Sequence, residues 1–501
     1  MDNLLSPVSR RTQFRVLVMI TLAWAVWAGW SMVNRATPYE LRVLDDLGAP
    51  LELAVADTAG RQLGTSGADG IIQLEWDGST TVIEVSAPGH VARRITVADR
   101  PAEGSIDVVL TARILRGLVT DAEGRPVAGA QVKAGSGVGE TDSEGRFSIR
   151  GAEPGEVMVE RPAWETTTFD WDGGPGDQTV SIEPLVLRAV HISGEAVRDR
   201  YDEFLQMATE TELNAVMIDL KDESGLVWYD TKDPVANEVG ANYKAFDLAE
   251  VVEKAKARDL YVIARVVVFN DPVAAIRKPE MAVWDAELQK PYSANGQYFL
   301  DPTDPDARAY GMAIATEACQ LGVDEVQFDY VRFPDARRES ATFDQGVSAE
   351  IRMSTINGFL SEAVAELRPM GCAVGADVFG FITKAIDDGA IGQKWEDLAN
   401  IVDVLSPMVY PSHYSTGWYD FERPNDHPGP MVENALADGL DRLPRSVVIR
   451  PWLQDFGYDA SQVRAQIEAA EGFGLGWMLW NARSDVTVEA LNRAETLQGG
   501  G

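Results

Sequence analysis

The sequence predicts an α/β protein: a C-terminal (β/α)8 TIM barrel behind two N-terminal β-sandwich modules and an N-terminal transmembrane helix. Three observations predict it. Residues 188–501 carry eight short, continuously apolar runs alternating with helical patterns. Ahead of them, one pattern of Asp and Gly turns between alternating strands occurs twice. Ahead of both lies a charge-free stretch behind an arginine cluster.

The first element is VLVMITLAWAVWAGWSMV, Val16 to Val33, preceded by Arg10, Arg11 and Arg15. About 18 uncharged residues is near the minimum for spanning a bilayer. The flanking arginines orient the N-terminus to the cytoplasm. A cleaved signal peptide is the rival reading, but no clear small-x-small cleavage site follows the run. The expectation is a cytoplasmic tip and membrane anchor over 1–37, with the bulk of the chain periplasmic or extracellular.

The modules come next, at 38–111 and 112–187. Gly64-Thr-Ser-Gly-Ala-Asp-Gly in the first and Glu140-Thr-Asp-Ser-Glu-Gly in the second place Asp and Gly between apolar strands. Gly supplies the positive φ such turns need, and Asp caps them. Val119 to Ile149 resembles carboxypeptidase-regulatory-like β modules. Asp121, Asp142 and Glu144 read as turn formers rather than calcium ligands.

From residue 188 the texture changes. The buried-strand candidates are Ala189–Ile192, Ala215–Leu220, Leu260–Val267, Val323–Phe328, Cys372–Ala376, Ile401–Leu405, Val447–Ile449 and Leu475–Leu479. Unbroken apolarity is what strands covered on both faces require. Asp247-Leu-Ala-Glu250 reads as a helix start, Pro305 opens another helix, and Gly322 ends it. A doubly wound sheet is the runner-up, but no Gly-rich phosphate turn follows the first strand.

Composition limits the function. With 45% hydrophobic and 24% charged residues the chain is globular, and its formal net charge of -34 argues against nucleic acid as a partner. The two cysteines, Cys319 and Cys372, sit in apolar patterns and read as buried free thiols. Four histidines, of which His90 falls in the β-rich region, make a His-based zinc site hard to assemble. No cofactor is expected.

Barrel chemistry gathers at the C-terminal strand ends. Here those ends carry Asp219 and Lys221, Arg265, Asp329 and Arg332, Asp377, Tyr410 and His413, Arg450 and Trp452, and Trp480 and Asn481. Charges in a barrel mouth cost desolvation unless paired or used. Two carboxyls flanking one glycosidic oxygen perform glycoside hydrolysis. Asp329 and Asp377, on adjacent strands, are the candidate catalytic pair, with Arg265 or Arg332 holding Asp329 as a carboxylate. The apolar setting of Asp377 favours the protonated acid. The remaining strand-end residues are the candidate substrate contacts, with Trp452 and Trp480 as stacking faces.

The segments VMIDLKDESG, YVIARVVVFND, VQFDYVRFP, GADVFGF, LSPMVYPSHY and GWMLWNA resemble the glycoside-hydrolase-like barrels called domain of unknown function 4015. The likeness covers residues 188–490, and FDYVRFP is its most specific part. It implies a TIM barrel and the reaction class of glycoside hydrolysis, not a substrate; the expected substrate is a polysaccharide or oligosaccharide of the cell envelope or the environment. Related amylase-type barrels use an Asp on strand four, matched by Asp329. They carry Glu on strand five, where this chain has Asp377. Two other readings compete. One is a non-catalytic carbohydrate-binding or scaffolding barrel. The other is a metal-dependent enzyme with Asp219, Asp222, Asp329 and Asp377 as ligands.

Overall fold

The computed structural model describes residue 15 and residues 18–25, 37–99 and 104–494. Most of the expected membrane segment, 16–33, lies outside them. Residues 18–25 are helical, and no helix among the described residues is long and apolar enough to cross a membrane. The structure thus gives the predicted transmembrane helix no support.

Each of the first two modules is built from seven strands in two facing sheets. In the first, Thr37–Asp45 lies between Ile71–Trp76 and Ser105–Leu110, opposite the sheet of Arg61–Thr65, Val55–Thr58, Thr81–Ser86 and Arg93–Val97. The second repeats that strand order, with Ile114–Thr120 central and Gly155–Glu160 in the opposing sheet. The Asp turns are as expected: Asp142 Oδ1 accepts from the amides of Glu144 and Arg146, and Asp121 Oδ1 from that of Arg125.

The barrel strands are β1 (Arg188–Ile192), β2 (Ala215–Lys221), β3 (Tyr261–Val267), β4 (Glu325–Asp329), β5 (Ala373–Phe379), β6 (Val404–Val409), β7 (Val448–Ile449 with Trp452–Gln454) and β8 (Trp477–Trp480). Every neighbouring pair is parallel, and β1 pairs with both β2 and β8, so the sheet closes. The seventh strand is interrupted at Arg450 and Pro451, where proline has no ladder N–H to give. The large helices between strands are α1 (Gly194–Glu210), α2 (Leu248–Lys256), α3 (Pro305–Gln320), α4 (Ala349–Leu367), α5 (Pro428–Leu440) and α6 (Ala460–Glu471). Asp247 caps α2 and Asp304 caps α3, each accepting from first-turn amides. Gly322, at φ 96°, follows the end of α3.

The barrel interior is packed, with Ala189, Ala215, Met217, Ile263 and Met478 buried beneath Tyr410 and Trp452. One cysteine expectation is corrected. Cys319, near the end of α3, and Cys372, just before β5, form a disulfide across 53 residues. Both are buried as expected, but parallel placement of α3 and β5 around β4 brings the thiols together.

Candidate active site

The strands deliver their chemistry to one mouth. A cavity of about 500 Å³ opens there, within the range of small-ligand sites. Of the expected residues, Arg265, Asp329, Arg332, Tyr410, His413, Trp452 and Trp480 line it. Asp219, Lys221, Asp377, Arg450 and Asn481 do not.

Asp329 ends β4 and is held from two sides. Arg265 on β3 donates to its Oδ2 from Nε at 3.0 Å and Nη2 at 2.5 Å. The Tyr330 amide donates to Oδ1 at 2.6 Å. Tyr330 itself has φ 49°, a left-handed conformation uncommon for an aromatic residue. Such strain persists where surroundings over-determine it.

Asp219 lies deeper. Its Oδ1 accepts from Arg265 Nη1 at 2.8 Å, and its Oδ2 is 2.8 Å from His191 Nε2. Burial pushes its carboxyl up, but His191 and Arg265 outweigh it and bring the group down to about 2. The imidazole stacks against Trp480 with centroids 4.1 Å apart, and the Arg265 guanidinium covers the same indole at 4.7 Å.

Asp377 is one residue past Ala376, as Asp329 is one past Phe328, and those two residues are in register on adjacent parallel strands. Neighbouring strands run about 4.8 Å apart, so the carboxyls stand side by side. Asp377 is 1% exposed. Its Oδ1 accepts from Trp452 Nε1 at 2.6 Å and Gln327 Nε2 at 2.5 Å. Burial first, then the charge of Asp329, drives it well above the usual carboxylate range. The same two acids, with burial as the largest cause, raise the Tyr410 phenol. Burial lowers His413, which leaves its ring neutral at pH 7.

Three expected contacts turn elsewhere. The β2 register slips between Asp219 and Lys221, and Lys221 points to Asp271 (2.9 Å) and the Val267 carbonyl. Arg450 reaches down to Glu325 at 2.9 Å. The Asn481 amide donates to the Asp455 carbonyl, and its own carbonyl faces His191. Asp222 is engaged by Ser224 and Trp228. No group of three or more His, Cys, Asp and Glu among the described residues is arranged to hold a metal ion.

Residues 189–485 match the family of domain of unknown function 4015, described as "Putative glycosyl hydrolase domain". The match spans more than half of the chain. The chain belongs to this family. A hypothetical protein from Ruminiclostridium thermocellum is 34% identical over 38% of this chain and 97% of its own, with a TM-score of 0.34. The glycoside hydrolase domain of PgaB (BpsB) from Bordetella bronchiseptica is 13% identical, over 60% of this chain and 95% of its own, with a TM-score of 0.45. That of PelA from Pseudomonas aeruginosa is 11% identical, over 60% and 96%, with a TM-score of 0.36. No curated protein matches the chain.

This glycosyl hydrolase-family barrel also brings to the cavity residues that strand-end reasoning passed over. Glu223, Tyr330, Asp335, Phe379, Tyr414 and Trp418 line it. All but Phe379 lie beyond the strand ends. Arg332 sits against Phe379 and Tyr330, its guanidinium 4.7 and 4.8 Å from the ring centroids. The signal for Glu223 stood in the DESG segment that follows β2.

Proposed function

We propose that the protein hydrolyses O-glycosidic bonds of an envelope or extracellular polysaccharide in this cavity. In this reading Asp329 is the carboxylate that meets the anomeric carbon, and Asp377 is its proton-bearing neighbour. One observation carries the reading: Asp329, with both oxygens held in place, faces a cavity walled by aromatic side chains at the C-terminal strand ends. Positioned carboxylates with flat apolar faces are what sugar rings require. Burial and the charge of Asp329 push Asp377 toward its neutral form, so the two adjacent acids favour sharing one negative charge. The burial of Asp377 keeps it beside Asp329 rather than against the sugar. Trp418 offers a stacking face, and Tyr410, His413 and Arg332 offer bonds to hydroxyls.

The ion pairing of Asp329 to Arg265 favours a second reading, a barrel that binds carbohydrate without turnover. One experiment separates them. The full chain is screened for release of reducing ends from envelope and extracellular polysaccharides, beside Asp329→Asn. Hydrolysis predicts release by the parent and a loss of about a hundredfold or more in the variant. Binding without release supports the second reading, and near-parental release by Asp329→Asn rejects the role of Asp329.

For location we propose a site outside the cytoplasm, with 16–33 as the anchor and the modules at 38–111 and 112–187 as spacers before the barrel at 188–501. The Cys319–Cys372 disulfide suits an oxidising compartment. Carbonate extraction should leave the chain in the membrane pellet. Its release to the supernatant would overturn the anchor.

A further inference from the structure

Glycoside hydrolysis needs a second carboxyl within reach of the leaving oxygen. Asp377 is behind the cavity wall, covered by Trp452. Two other acids line the cavity besides Asp329, namely Glu223 and Asp335. Asp335 pairs with Arg332 and shares no partner with Asp329. Glu223 differs, because its Oε1 and Asp329 Oδ2 both accept from the same atom, Arg265 Nη2. Two bonds of ordinary length from one nitrogen hold those oxygens no more than about 6 Å apart. Retaining glycosidases keep their carboxyls at about 5–5.5 Å, and inverting ones at about 6.5–9.5 Å.

The two acids are not equivalent. Asp329 is 8% exposed in its side chain and takes three bonds, two from Arg265 and one from the Tyr330 amide. Glu223 is 36% exposed and takes a single one. Asp329 is thus fixed from two sides, whereas Glu223, held by one bond, keeps an open edge toward the cavity that it lines.

The geometry points to Glu223 as the proton donor and acceptor of a double displacement that retains anomeric configuration, an assignment that rests on the hydrolase reading above. Asp329 Oδ attacks the anomeric carbon, and the bond from that carbon to the leaving oxygen breaks. Its electron pair stays on the oxygen, which takes the proton from Glu223. Glu223, now a carboxylate, then removes a proton from water as the water oxygen attacks the same carbon. The glycosyl–Asp329 ester bond breaks, and its electrons return to Asp329. Asp377 serves as a positioning residue throughout.

The test uses the full chain with hexosides and N-acetylhexosaminides, in both anomers, bearing either a dinitrophenyl or a methyl leaving group. Dinitrophenolate departs without a proton, whereas methoxide does not. Glu223→Gln should lose about a hundredfold or more on the methyl substrates. On the dinitrophenyl ones it should accumulate the glycosyl-enzyme, and azide should discharge that intermediate to a glycosyl azide of retained configuration. Asp329→Asn should fail on both, and the parent product, read by NMR before mutarotation, should keep its configuration. Equal losses of Glu223→Gln on both leaving groups, no loss, or an inverted product would overturn the assignment. An unchanged unfolding midpoint for Glu223→Gln excludes misfolding as the cause. A parent inactive on the panel would instead fail the hydrolase reading itself, and an active Asp329→Asn would fail the role of Asp329 on which this assignment rests.

Discussion

Asp219 and Asp377 show how one barrel drives two equally buried carboxyls in opposite directions. Asp219 meets a guanidinium and an imidazole, while Asp377 meets an indole N–H, an amide and the charge of Asp329. The signs of their contributions to stability follow. Asp219 is lowered from 3.8 to about 2, so its contribution is present above pH 4 and is lost as pH falls toward 2. That contribution is on the order of 2 kcal/mol. Asp377 is raised, so the unfolded chain ionises first and stability falls as pH rises above about 4, up to its folded value. Asp377→Asn mimics the neutral acid and removes that loss. Urea unfolding of parent and Asp377→Asn across pH 4–8 should show the variant gaining relative stability as pH rises. A constant difference would mean that Asp377 is ionised in the fold. Asp219→Asn should cost about 2 kcal/mol at pH 7, because it removes that contribution together with one of the buried carboxylates that Arg265 pairs with. Wild-type midpoints for that variant would contradict the network.

At the scale of elements, what was legible follows burial. The eight strands stood out because each is covered on both faces, so β2 and β5 read as unbroken apolar runs. The break within β7 was not read, although Pro451 was in view. The site was legible where a side chain ends a strand, as with Arg265 and Asp329. It was illegible where a loop folds back, as with Glu223, or where a register slip redirects a residue, as with Lys221. The cysteines were misread because their pairing is tertiary: α3 and β5 are neighbours only once β4 lies between them in the chain. Closing a loop of that length is worth about 2–4 kcal/mol. Reduction, or Cys319→Ala with Cys372→Ala, should lower the thermal midpoint accordingly. An unchanged midpoint would show that helix packing alone holds that corner.

Across the whole molecule, the second module closes the end of the barrel opposite the cavity. Its apolar cluster, with Leu115, Val132 and Trp164, takes in Ala373, Val404 and Val448 from the starts of β5, β6 and β7. Asp121 Oδ2 accepts from the Ser446 hydroxyl at 2.8 Å. The repeat was readable from its turns, but this docking was not, because single residues at strand starts make it. At its centre Asp403 is fully buried, with Arg161 at 3.3 Å and Arg368 at 2.7 Å. The two cations are unequal. Burial lowers the Arg161 guanidinium to about 10 against the pull of Asp403, and its Nε and Nη1 have no hydrogen-bond partner among the described residues. Arg368 is partly exposed and holds Asp403 at the shorter distance. Replacing Arg161 by Met exchanges an expensive buried cation for apolar volume and leaves Asp403 paired. Replacing Asp403 by Asn strands Arg161 in the interface. Asp403→Asn should therefore cost about 3–5 kcal/mol and Arg161→Met close to nothing, since apolar replacement of a buried pair is often neutral or stabilising. Urea midpoints of the full chain measure both. Equal losses for the two variants would mean that Arg161, not Arg368, balances Asp403 and pins the module to the barrel.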